Sequence, residues 1–187
     1  MWLDRECLLP GQPWEEGFCE GLVNSASATF VCLLSRGAIH HPTKPWQCFS
    51  KMTETSKCDN VLLEWSMALE LRQRGMIDGI YHIFIGDRDA EGCYGDYFAG
   101  GCHPSNLPGV AVAAVAEKLQ LHLDTQGLGA VYVEQATVKG VVEMISAHQG
   151  GLLRSGDGDG DSRGCIPAIV HQIAEMIKRS QTQKMMT

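Results

Sequence analysis

Short apolar runs alternate with longer amphipathic segments along this chain, and this alternation decides which class of fold is open to it. Thr29–Leu34 and Ile80–Ile85 are nearly all apolar and rich in β-branched and aromatic residues, which is typical of strands buried on both faces. The segment between them contains a stretch with helical spacing of apolar residues. The sequence therefore predicts an α/β domain in which helices cover a parallel sheet.

Capping and turn residues set the boundaries of the predicted elements. Asp59 can cap a helix that runs to Arg74, and Gly75 can end it. The predicted strands are Trp2–Leu3, Thr29–Leu34, Ile80–Ile85 and an edge strand Val131–Glu134, and the predicted helices are Trp14–Ser25, Asp59–Arg74, Gly109–Gln126, Thr137–His148 and Ile166–Ser180. Long loops are expected at Arg36–Lys57, Gly86–Pro108 and Gly150–Gly164. We expect one domain over residues 1–180 and a polar tail over residues 181–187.

Composition and charge exclude several classes of partner. The chain has 187 residues, of which 44% are hydrophobic and 20% charged, so it can bury the core of one domain. Its net charge is −7 and no basic patch interleaves with aromatic residues, which argues against nucleic acid and anionic membranes as partners. No apolar stretch approaches the roughly 18 residues of a membrane span. We expect a cytoplasmic protein without a membrane contact.

The eight cysteines do not follow the pattern of a disulfide framework or a metal site. Because the N-terminus lacks the features of a signal peptide, we expect reduced thiols that are mostly buried. No Cys-x-x-Cys pair is present, and Cys102 with His103 cannot complete four zinc ligands. The acidic segment 157–161 resembles the start of a calcium loop, but Ser162 and Ala168 replace the required glycine and glutamate. The sequence therefore predicts no metal site.

Glu64 is the candidate catalytic residue. Its neighbours three and four positions away on the predicted helix are mostly apolar, Met67 among them, and perturbed carboxylates in such surroundings concentrate at functional sites. The alternative is a structural role near the first turn, where the helix dipole favours a negative charge. Spacing alone leaves both interpretations open. Glu70, by contrast, is expected to pair with Arg74 on a solvated face.

The segment Asp4–Trp14 is a candidate ligand-binding loop. Its Pro10-Gly11 dipeptide is typical of a tight turn. The loop directly follows a predicted strand, so it leaves the sheet at the carboxyl edge, where open α/β sheets bind ligands. An ordinary surface turn is the alternative interpretation.

Several segments, taken in order, resemble the Toll/interleukin receptor (TIR) domain family. The resemblance covers residues 1 to about 90, and it weakens beyond Asp87. The matching segments are Leu3–Gly11, similar to the second strand and the loop after it, Phe18–Ser35, similar to the next helix and the third strand, Asp59–Glu70, similar to the third helix, and Ile83–Gly86, similar to the fourth strand.

The resemblance implies a flavodoxin-like fold, with a parallel sheet of strand order 2-1-3-4-5 and helices on both faces. Enzymatic members of the family cleave NAD⁺ to nicotinamide and ADP-ribose or a cyclic product, with NAD⁺ as substrate and no further cofactor. Their catalytic glutamate lies on the third helix, and Glu64 occupies that position here. The resemblance further implies that Asp4, Arg5, Leu9 and Gly11 wall the NAD⁺ crevice, and that Trp14 or Trp46 stacks on a ring of the dinucleotide.

The sequence departs from the family because no counterpart of its first strand and helix precedes Leu3. Three explanations stay open: the chain is a fragment, its second and third strands pair directly, or another molecule supplies the missing strand. Because exposed strand edges promote association, we expect a homo-oligomer and other TIR domains as partners. The alternative function is a non-enzymatic signalling adaptor that acts through the Asp4–Trp14 loop, and a third is a catalytically inactive remnant.

Overall fold

The structure, a computed structural model, describes residues 14–24, 29–40, 48–86, 104–131, 136–148, 150–154 and 162–185. Its helices are α1 (Trp14–Asn24), α2 (Arg36–Ile39), α3 (Asn60–Gln73), α4 (Ala113–Thr125), α5 (Val138–Ser146) and α6 (Ser162–Met185), its strands are β1 (Thr29–Ser35), β2 (Gly79–Gly86) and β3 (Gly150–Arg154), and short 3₁₀ turns lie at Phe49–Lys51 and Pro104–Asn106. Within these residues, no helix is long and apolar enough to cross a membrane.

The described strands form one parallel sheet in the order β1-β2-β3. Thr29 pairs with Gly79 at the start of the β1–β2 ladder, and His82 pairs with Gly150 at the start of the β2–β3 ladder. Helices connect the parallel strands, as parallel pairing requires. The predicted α/β class is therefore confirmed, and β1 and β2 lie within one residue of their predicted bounds.

Helix α3 is the centre of the core on the first face of the sheet. It contacts α1, α4, α5 and β2, so neighbours surround it on nearly every side. Its side chains from Trp65 to Leu71 are all buried, and the Trp65 ring meets the Phe49 ring edge-on at 5.8 Å. On the sheet, Cys32, Leu34 and Ile80 face this core. A helix enclosed in this way is buried all round rather than amphipathic.

Helix α6 covers part of the second face. Ile169 packs there against Tyr81 and Ile83 of β2, and the Tyr81 hydroxyl donates a hydrogen bond to Oε1 of Gln172. The same face of β1 differs, because Val31 is 39% exposed and Leu33 is 55% exposed. Helices therefore lie on both faces of the described sheet, but apolar side chains of β1 remain in contact with solvent.

The capping residues of α3 behave as the sequence predicts. The Asp59 side chain accepts a hydrogen bond from the backbone nitrogen of Leu62 at 3.1 Å, and the helix stops before Gly75, whose φ of 71° suits glycine. Thr137 caps α5 in the same way, accepting from the nitrogen of Gly140 at 3.0 Å. These local contacts explain why both helix starts could be predicted.

The sequence prediction was wrong at Gly150–Gly164, where a loop was expected and β3 forms instead. A Cβ atom on Gly150 would lie 2.3 Å from the His82 imidazole, so glycine here permits a close approach between strands. Helix α6 also starts before the predicted Ile166 and includes residues 181–185, which were assigned to the tail. The predicted strand Trp2–Leu3 and most of Val131–Glu134 lie outside the described residues.

The Glu70–Arg74 pair forms as predicted, but it is buried rather than solvated. Glu70 is 0% exposed, and its Oε1 accepts from Nε of Arg74 at 2.6 Å. The same guanidinium donates to the carbonyls of Leu128 at 2.5 Å and Ala130 at 2.6 Å. The loop after α4 thus covers the side of α3 that helical spacing assigned to solvent. This ion pair and these hydrogen bonds link the end of α3 to that loop.

Removing Glu70 is expected to destabilise the fold, because the Arg74 guanidinium would be left buried without its countercharge. We expect Glu70→Ala to lower the free energy of unfolding by about 3 kcal/mol, measured by urea denaturation. Glu143→Ala is the control, since Glu143 pairs with Lys139 at 3.9 Å on the surface and its loss should cost less than about 1 kcal/mol. Equal effects of the two substitutions would contradict the role given to the buried pair.

Candidate functional site

Glu64 lies on α3 one turn after the helix begins, and its side chain is half-buried. In a parallel α/β crossover the helix runs opposite to the strands, so this end of α3 lies toward their carboxyl edge. Met67 and Ala68, three and four positions further along the helix, are fully buried. Glu64 therefore stands at the border between the core and solvent, at the edge where α/β sheets bind ligands.

The negative charge of Glu64 acts on Cys32 of β1. Burial raises the pKa of the Cys32 thiol from 9.0 to about 12, a hydrogen bond with its own backbone opposes this shift, and the negative charge of Glu64 adds to it. The charge of Glu64, on helix α3, thus influences a side chain of strand β1. At neutral pH the thiol is protonated and is a poor nucleophile.

Cys32 and His82 are site neighbours that sequence reasoning missed. They are paired in register on adjacent strands, so both side chains project from the first face of the sheet. His82 is 5% exposed, and its ring centroid lies 4.5 Å from that of Phe84. A polar residue inside an otherwise apolar strand was the available signal. The register that brings the two residues together could not be read from the chain.

The structure does not describe the side chains of the other predicted site residues. Asp4, Arg5, Leu9, Gly11 and Trp46 lie outside the described residues. Trp14 is the first residue of α1, but its side chain is also outside the described part of the chain. The structure therefore places Glu64 alone among the predicted site residues, and the NAD⁺ crevice around it stays a prediction.

A cavity of about 410 Å³ opens near the other end of α3, lined by Gln73, Arg74, Met76 and Leu128. It is not part of the Glu64 site. The Arg74 guanidinium nitrogens already bond Glu70 and two backbone carbonyls, so this cavity does not present that cation to a ligand. In the portion of the chain that the structure covers, no group of three or more His, Cys, Asp or Glu side chains is placed to hold a metal ion.

Comparison with known proteins gives no match: no family model, no curated protein and no solved structure is similar to this chain. The case for a function therefore rests on the residues and contacts described above.

Cysteine reactivity provides a check on this site. Among the cysteines whose side chains the structure describes, Cys19, Cys32 and Cys48 are buried and Cys58 is half-buried. We expect iodoacetamide at pH 8 to alkylate Cys58 in the native protein and to leave Cys32 unmodified until denaturant is added, as measured by peptide mass spectrometry. Native alkylation of Cys32 at the rate of Cys58 would contradict its burial and its raised pKa.

Proposed function

We propose that this chain is a TIR-like domain that cleaves the bond between nicotinamide and ribose in NAD⁺, with Glu64 as the catalytic carboxylate. The observation that carries the proposal is the position of Glu64. It is half-buried near the start of a central helix, and its charge reaches the sheet at Cys32. A carboxylate held in this setting is preorganised to stabilise a positive charge that develops beside it.

The chemistry of NAD⁺ explains why one carboxylate suffices. Nicotinamide departs as a neutral molecule from a cationic nitrogen, so no general acid has to protonate the leaving group, unlike in ordinary glycoside hydrolysis. Positive charge develops on the ribose instead. We propose that Glu64 stabilises this oxocarbenium-like centre and accepts hydrogen bonds from the ribose hydroxyls. Water or a second group of the dinucleotide then completes hydrolysis or cyclisation.

The surroundings of Glu64 strengthen its effect on a cation. Leu63 and Trp65, on either side of it, are each 2% exposed, so the carboxylate stands against a low-dielectric core. In such a medium a charge acts more strongly than in water. Cys32 supports this argument, since its pKa responds to the Glu64 charge.

The remaining parts of the site belong to the same proposal. Asp4, Arg5, Leu9 and Gly11 would wall the crevice, and Trp14 or Trp46 would stack on a ring of the dinucleotide. In the flavodoxin-like fold that we propose, the strands of the described order β1-β2-β3 would be the third, fourth and fifth of the sheet. A cytoplasmic location and a role in intracellular signal transduction complete the proposal.

The assignment of Glu64 is tested by a nicotinamide-release assay with concentrated protein and NAD⁺. We expect Glu64→Gln to lower the rate by at least about 100-fold, because the amide keeps the shape of the side chain and removes its charge. Glu117→Gln on α4 changes an exposed carboxylate and should leave the rate unchanged. Turnover that survives Glu64→Gln would remove Glu64 from the mechanism.

Self-association is the second part of the proposal, and the exposed apolar side chains of β1 support it. Val31 and Leu33 lie together on one face of β1, whose other edge has no strand partner among the described residues. Unpaired strand edges and exposed apolar patches favour association. The same surface supports the signalling adaptor, which would associate in this way without cleaving NAD⁺.

A matched pair of substitutions tests the surface on β1. We expect Leu33→Lys to shift self-association to at least about tenfold higher protein concentration in sedimentation experiments, because a charge replaces part of the apolar contact. Leu121 is 62% exposed on α4, so Leu121→Lys is the control and should have no effect. Association together with an absence of nicotinamide release from wild type would favour the adaptor. A monomer at all concentrations would contradict the association proposed for both functions.

A further inference from the structure

His82 is a buried histidine that the proposed catalytic site does not use. It lies on the central strand of the described sheet, and its Nδ1 atom is buried with no hydrogen-bond partner among the described residues. Its ring lies so close to Gly150 of β3 that a Cβ atom there would be 2.3 Å away. The ring therefore fills the junction between β2 and the first residue of β3.

Among the described residues, the groups that act directly on the pKa of His82 provide no negative charge to balance a protonated ring. From the end of α5, the backbone of Ile145 offers a hydrogen bond, and His148 adds a repulsive interaction. From α3, the positive charge of Arg72 lowers the pKa of His148. From β1, Cys32 is the register partner and carries an uncharged thiol, whose pKa the negative charge of Glu64 raises. The described groups closest to the ring thus favour a neutral imidazole.

We propose that His82 is an acid-sensitive latch that holds β3 and the end of α5 against β2, and that its protonation releases β3 while the β1–β2 pair stays folded. An imidazolium carries a proton on both ring nitrogens, and the proton on Nδ1 would be buried without an acceptor. Release of β3 opens the junction at Gly150 and gives that nitrogen access to water. Strand β1 pairs along the opposite edge of β2 from this junction.

The direction of the pH effect follows from the pKa values. Burial lowers the pKa of His82 below its ordinary 6.5, and the nearby His148 lowers it further, against the opposing contribution of Ile145. Burial, and then the charge of Arg72, lower the pKa of His148. Below about pH 6.5 the open state therefore binds more protons than the closed state. The latch is closed at neutral pH, and it weakens as the pH falls.

Hydrogen exchange of the backbone amides tests the latch. We expect the protection of residues 151–154 to fall between pH 7.5 and pH 5.5, after correction for intrinsic exchange rates. The loss from His82 should approach, and not exceed, roughly tenfold at pH 5.5, because that pH lies about one unit below the ordinary pKa that the ring takes in the open state. Protection of β1 and of the β2 amides that face it should persist. An equal loss in β1 and β3, or no loss in β3, would overturn the proposal.

Two substitutions separate the latch from general acid sensitivity. His82→Leu should make the protection of β3 independent of pH over this range, while His171→Gln, on the exposed side of α6, should behave as wild type. If His82→Leu does not fold, the ring of His82 is titrated by NMR in wild type and in His148→Gln. We expect a midpoint below 6.5 in wild type and a higher midpoint in His148→Gln. A wild-type midpoint at or above 6.5 would overturn the latch.

Discussion

The packing of α3 against neighbours on nearly every side is the constraint on which the rest of the structure depends. The middle turns of a helix enclosed in this way have no solvated stripe, so each polar side chain there needs a local solution. Ser66 donates to the carbonyl of Leu62 at 2.7 Å, Glu70 binds Arg74, and Glu64 stays half-buried at the margin of the core. Of the three, Glu64 alone keeps access to solvent, and this is why we propose it as the catalytic residue.

Both ends of α3 are fixed, and this fixes Glu64. Asp59 caps the start of the helix, and Arg74 fastens its end to the carbonyls of Leu128 and Ala130. A carboxylate on a helix held at both ends need not reorganise when charge develops beside it, which is the condition for strong electrostatic stabilisation. The buried pair far from Glu64 thus contributes to the geometry of the proposed site.

The sequence predicted those parts of the fold that depend on local signals. Two apolar runs identified β1 and β2, and Asp59 with Gly75 bounded α3. It failed at β3, because the glycine that looks like a loop residue serves a contact with His82 that only the sheet register creates. In the candidate site, helical spacing predicted the apolar surroundings of Glu64. The same spacing misplaced Glu70, since it cannot show that a distant loop covers that side of the helix.

The sequence did not identify Cys32 and His82 as neighbours of the candidate site. Their charge states influence how strongly the Glu64 carboxylate can stabilise a cation. Burial keeps Cys32 a thiol at neutral pH, and it favours the neutral form of His82. Neither group therefore places a positive charge on this part of the sheet to offset the Glu64 carboxylate. These two groups therefore do not weaken the attraction between the Glu64 carboxylate and a cation that approaches from solvent. This balance would change once the pH falls below the lowered pKa of His82, because a protonated His82 places a positive charge beside Cys32. Both the closed junction at β3 and the proposed effect of Glu64 on a cation would then require that His82 is neutral.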